Sequence, residues 1–128
     1  MVAVWVLNAE ETHLQMYAVD FPGSRGIASE GRLMPIEGTL LGDILKRGVP
    51  EVTDFGDPAL KLPEGDAAII HAEGLRFGYA GPMYVRDRKL GVFSLGRKTN
   101  KPFTRDDLEM ADMVGQQVAI ALLSLIHI

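Results

Sequence analysis

The stretch GPMYVRDRKLGVFSL, residues 81–95, limits the fold more than any other part of the chain. It reads as two strands joined by a charged turn, RDRK (86–89), and neither strand alternates between apolar and polar residues. A strand with one wet face alternates, whereas a strand covered on both faces is apolar at nearly every position. This hairpin therefore belongs in a sheet that carries a layer of structure on each side. Its strands are predicted at roughly 75–85 and 90–96.

The N-terminus repeats the pattern. VAVWVL (2–7) is apolar and β-rich throughout, and NAEE (8–11) is a polar turn. THLQMYAVDF (12–21) is a second strand, in which Leu14, Met16 and Ala18 alternate with His13, Gln15 and Tyr17. Gly and Ser dominate 22–32, which reads as a loop. In GTLLGDILKRG, Leu40, Leu41, Ile44 and Leu45 fall on one helical stripe. Thr39 is placed to cap that helix, Lys46 and Arg47 suit its negative end, and Gly48 is its left-handed stop. PEVTDF (50–55) is a short strand at a sheet edge, because Pro50 has no N–H to donate. DAAIIHAEG (66–74) is a second short helix, with Asp66 as expected N-cap and Gly74 as C-cap.

The last element is the clearest. Thr104 followed three residues later by Asp107 makes a variant capping box. Arg105, Glu109, Asp112 and Gln116 share a polar face. Leu108, Ala111, Val114 or Gly115, Val118, Ala121 or Leu122, and Leu125 share the opposite one, with heptad-like spacing in the second half. This predicts a helix of about five turns. The predicted order is β-β-α-β-α-β-β-α. The fold class is α+β: one antiparallel sheet of about five strands, with the long helix on one face and the short helices and loops on the other.

Composition narrows the function. The chain has 128 residues, 47% hydrophobic and 23% charged, as expected for one globular domain. The net charge is −4 with no basic run, which argues against a nucleic-acid surface. There is no cysteine, which removes disulfides, thiolate metal sites and thiol nucleophiles, and fits the cytoplasm. No apolar run approaches the ~18 residues of a membrane span, and no basic leader precedes the first strand. His13, His71 and His127 lack metal-ligand spacing, there is no Gly-x-Ser-x-Gly elbow, and PGSRG and GYAG lack P-loop or dinucleotide spacing. An enzyme is not expected, no metal site is assigned, and no cofactor is identified. Met16, Met83, Met110 and Met113 read as core fillers.

The order of these pieces resembles a GAF domain. The carrying residues are Pro82 and Met83 ending an apolar strand, the charged turn 86–89, the strand 91–95, Phe103, the acidic helix start Asp106 and Asp107, and QVAIA at 117–121. Upstream, MPIEGTLLGDILKRGVPEVTDF and AEGLRFGYAGP resemble the family's helix, turn and strand segments. The resemblance runs from Val2 to Leu122 and implies a single domain over 1–122. The helix that usually opens the family is missing, and residues 123–128, LSLIHI, depart from its polar continuation and read as a tail whose native origin stays open. Asn100, Lys101, Phe103 and Asp107 partly match the signature of cyclic-nucleotide-binding members, but Leu108 stands where that signature has Glu. A loop and a helix cap explain the same residues.

The resemblance implies a regulatory sensor that binds a small molecule between the sheet and the short helices. It would signal through its terminal helices to an output domain. The implied ligand residues are Asp54, Phe55, His71, Arg76, Phe77 and Tyr79. Phe77, Tyr79 and Gly81 share one face by period two, with Arg76 on the other. Core packing for Phe77 and Tyr79 and a surface ion pair for Arg76 are the readings that the residues by themselves favour. His71 also stands as a haem-ligand candidate or as a plain surface histidine. The alternative function is a ligand-free dimerisation module. Apolar surface left on the last helix would make a homodimer in either case.

Overall fold

The computed structural model describes residues 1–20 and 30–126. A six-stranded antiparallel sheet has the strands β1 (Val2–Leu7), β2 (His13–Asp20), β3 (Leu33–Pro35), β4 (Glu51–Asp54), β5 (Phe77–Val85) and β6 (Arg88–Arg97), in the order β3-β2-β1-β6-β5-β4. Three helices complete it: α1 (Leu40–Arg47), α2 (Glu64–Glu73) and α3 (Arg105–Ile126). The N-terminal strand thus lies at the centre, paired with β2 on one side and β6 on the other.

The expected double coverage is present. On the α1/α2 side, Ala3, Trp5, Leu14, Met16, Ile44, Ile69, Ala80 and Val92 form one buried cluster. On the α3 side, Val4, Tyr79, Met83, Phe93, Ala111, Ala119 and Leu122 form another. Adjacent residues of one strand, such as Val4 and Trp5 or Val92 and Phe93, serve opposite cores, so no strand of the central hairpin needs a wet face. The hairpin turn is tighter than predicted. Val85 pairs with Arg88 across Arg86 and Asp87, and Arg86 takes the left-handed φ of 57°. Arg88 and Lys89 are therefore exposed strand residues.

The strand count corrects the expectation of five. β3 is three residues long and ends at Pro35, too short for any periodicity, and it is held by pairing Leu14 with Met34. The expected loop at 22–32 lies mostly outside the described residues.

Helix α1 follows its sequence signals. Thr39 Oγ1 accepts the Gly42 N–H at 3.1 Å, and Gly48 closes the helix with a φ of 75°. In α2, Gly74 is the left-handed C-cap as expected. Asp66, however, is not its N-cap. The helix starts at Glu64 after Pro63, and the Asp66 carboxylate crosses to α1, where Oδ2 accepts the Leu40 N–H at 2.8 Å. The capping box of α3 is reciprocal: Thr104 N–H donates to Asp107 Oδ2 (2.8 Å) and Asp107 N–H to Thr104 Oγ1 (3.1 Å).

Helix α3 is longer than predicted, 22 residues or about six turns. Of the paired alternatives for its seam, Gly115 and Leu122 face the sheet. Met110, Met113, Val114, Ile120 and Leu125 are exposed, so Met110 and Met113 are not core fillers, whereas Met16 and Met83 are. By length and composition alone α3 is apolar enough to cross a membrane, which the sequence reading did not anticipate. In the fold it packs on the sheet through Ala111, Ala119 and Leu122.

Candidate functional site

Between the sheet and α1/α2 lies a cavity of about 60 Å³. Its sheet wall exists because β5 offers small residues on this side. Gly78 and Ala80 alternate with Phe77 and Tyr79, and the Tyr79 ring belongs to the α3-side cluster. The ring edge of Phe55 lies over Gly78, where a Cβ would collide with it. Trp5 forms another part of the wall, and its Nε1–H donates to Ser94 Oγ at 3.3 Å. Leu40, Ile44, Ile69 and Leu75 supply apolar cover.

The polar groups are few. Thr53 and Ser94 are buried, and both line the cavity. Glu51 also lines it but is ion-paired with Arg47. Asp66 lines it from α2 and is only 4% exposed. Burial pushes the Asp66 carboxyl above the ordinary carboxylate range, and the backbone N–H groups of Leu40 and Leu41 partly offset this. Among the described residues the cavity wall includes no Lys, Arg or His, and no group of side chains could hold a metal ion.

The six residues implied from sequence do not converge on one point. Phe55 lines the cavity. Tyr79 also borders it, but its ring belongs to the α3 cluster. Its hydroxyl is raised in pKa by burial first and by the nearby Asp112 carboxylate second. Asp54 and Arg76 are ion-paired with each other at the sheet edge, and the Arg76 guanidinium stands 4.4 Å from the Phe77 ring centroid. Phe77 is buried and is not part of the cavity wall. His71 is exposed on α2, also apart from that wall, and His127 lies outside the described residues. Trp5, Thr53, Asp66 and Ser94 were not read as site residues. The legible clue was the pair Gly78 and Ala80, small residues at alternate positions of a strand covered on both faces.

In the segment that partly matches the cyclic-nucleotide signature, Phe103, Asp107 and the Lys101 carbonyl make contacts within the fold. The Arg97 guanidinium stacks 4.4 Å from the centroid of Phe103, donates to the carbonyls of Lys101 and Pro102, and pairs with Asp107. Asp107 is held below the ordinary carboxylate range, chiefly by the Thr104 N–H and hydroxyl and less by Arg97.

The central N-terminal strand, the helical layer on each face and the cavity beneath α1 and α2 define the fold, and comparisons place it in a family. The chain belongs to the GAF domain family, whose sequence model matches residues 1–122. It is similar in fold to the GAF domain of a two-component sensor histidine kinase from Bacillus halodurans, with a TM-score of 0.78 and 22% identity over 99% of this chain and 84% of that one. It is also similar to the phycocyanobilin-bound GAF domain of a cyanobacterial phytochrome, with a TM-score of 0.73 and 17% identity over 94% of this chain and 73% of that one. A third likeness is to the second GAF domain of DevS from Mycobacterium smegmatis, with a TM-score of 0.67 and 21% identity over 98% and 83% of the two chains. No curated protein matches the chain. The family consists in general of regulatory sensor domains rather than catalysts.

Proposed function

We propose that this chain is a non-catalytic, cytoplasmic sensor domain. It binds a small molecule in the cavity between the sheet and α1/α2 and transmits occupancy through α3 to an output domain. The observation that carries this reading is the cavity itself: a space between the sheet and α1/α2 lined by Trp5, Phe55, Leu40 and Ile69 together with Thr53, Ser94 and Asp66. The volume bounds the ligand. About 60 Å³ is small against the ~300–1,000 Å³ of pockets for drug-sized ligands, so it admits a molecule of a few non-hydrogen atoms. A haem or bilin requires α1 and α2 to move apart. The six residues implied by the family resemblance remain proposed contacts at this wider opening, with Arg76 and Asp54 parting to admit a larger ligand. Ordering of α1 and α2 by a bound molecule shifts the population of packing states, which the sheet passes to α3 on its opposite face.

The experiment is a thermal-shift screen of small metabolites on the wild type and on Ala80→Leu, which fills the cavity from the sheet side. Ligands that act here raise Tm in the wild type and not in the variant. A screen in which no compound raises Tm, or in which both proteins respond alike, overturns the reading.

A second reading rests on a separate observation. Met110, Met113 and Ile120 stay exposed along α3 after it has packed on the sheet. This favours a homodimer through the terminal helix, either as part of sensing or, with the cavity unused, as a dimerisation module.

A further inference from the structure

We infer that the cavity takes a short-chain organic cation, an alkylammonium of a few carbon atoms, and that Asp66 is the residue that selects for it. The inference rests on the small-molecule reading of the cavity above. It begins from an imbalance of charge. The cavity wall contains two side-chain carboxylates, Glu51 and Asp66, and no Lys, Arg or His among the described residues; the ammonium of Met1, a residue of the same wall, is taken by the Gly96 carbonyl. Glu51 is accounted for by Arg47. Asp66 is buried, yet none of the ion pairs among the described residues includes it. Its carboxylate is held by backbone N–H groups alone, those of Leu40 and Leu41 at the start of α1 and its own.

Buried carboxylates are rarely left without a cationic partner, because a helix terminus supplies only part of a positive charge. An ammonium group supplies a full one, with N–H donors for the Asp66 carboxylate. Burial already disfavours the charged Asp66, and a cation placed beside it removes that penalty. The rest of the wall suits the rest of such a ligand. Leu40, Ile44 and Ile69 cover a short aliphatic body, and Trp5 and Phe55 add aromatic surface to it. A carboxylate ligand of the same size meets the opposite conditions: like charge, low dielectric and no cationic side chain among the described wall residues.

The test uses three molecules of nearly equal shape: propylammonium, 1-propanol and propionate. Each is titrated into the full chain at fixed pH and ionic strength, with binding read by ligand-observed NMR and by Tm. Propylammonium is expected to bind at least about tenfold more tightly than propionate. Asp66→Asn keeps an acceptor for the Leu40 N–H and is expected to erase the difference. If that variant does not fold, the ratio in the wild type decides alone. Propionate binding as tightly as propylammonium overturns the selectivity. So does 1-propanol binding while propylammonium does not, and in either case the cavity remains a ligand site provided that Ala80→Leu abolishes the binding. If no member of the series binds, this inference falls. If the wider metabolite screen is also blank, the sensor reading falls with it.

Discussion

Asp66 and Asp107 are both helix-capping carboxylates, and their surroundings drive them in opposite directions. Asp66 is buried, so its charged form is disfavoured and its pKa lies above the ordinary value. The folded state then binds the proton more readily than the unfolded one. The stability tied to Asp66 is fully present below the unfolded pKa and declines as pH rises through the folded one. Asp107 is half-buried and held by the Thr104 N–H and hydroxyl, so its pKa is lowered. Its contribution is present above the unfolded pKa and is lost as pH falls through the folded value. Carbon-detected NMR titration of the two carboxyl groups is expected to find Asp66 titrating above the ordinary Asp range and Asp107 below it. The reverse order would refute the assignment of the two caps. Another residue-scale constraint is Gly91, where β6 runs against β1 so closely that any Cβ would strike the Trp5 carbonyl. Gly91→Ala is expected to destabilise the fold by about 1–3 kcal/mol in denaturant unfolding, since strand pairing must shift to make room. Neither Gly91 nor the role of Asp66 was legible from sequence. A glycine in GVFSL looks like any other, and the group that Asp66 caps lies on a different helix.

Among the elements, α1 and α3 follow from local sequence because their signals are local: a hydroxyl cap, a stripe at helical spacing and, for α1, a glycine stop. Thr104→Ala removes one half of the α3 capping box. It is expected to cost about 1 kcal/mol in chemical denaturation while leaving the Arg97–Phe103 stacking in place. Helix α2 was legible in kind but not in its first residues, since its best capping side chain serves α1. Strand β3 was not legible, because three residues carry no period and its support is tertiary: the pairing with β2 and the burial of Met34 in the α1/α2-side cluster. The exposed row on α3 makes its own prediction. Sedimentation of the wild type is expected to show a concentration-dependent dimer, and the double variant Met113→Glu with Ile120→Glu is expected to sediment as a monomer with an unchanged far-ultraviolet spectrum. A wild type that stays monomeric at high concentration would remove the helix-mediated dimer.

At the scale of the molecule, strand order sets where stability concentrates. β1, β6 and β5 form the middle of the sheet and are covered from both sides, whereas β3 and β4 are the edges. Amide exchange followed by mass spectrometry is expected to protect β1, β5 and β6 longest. The β3 segment and the outward-facing amides of β4 should exchange first. Early exchange of β1 would contradict its central place.

What the amino-acid sequence determined by itself was the class of architecture. Strands apolar at every position require two covering layers, and a long capped helix with one apolar seam supplies one of them. Those properties depend on residues close in the chain, and period and capping express them directly. The tertiary structure alone decided that Tyr79 turns its ring to α3 while Gly78 and Ala80 leave a space on the other side. It alone decided that Arg76 is occupied by Asp54, and that Asp66 of one helix caps the next and borders the cavity. Each of these joins residues brought together only when the sheet and its two layers close. No local pattern encodes which of two covered faces a side chain will serve.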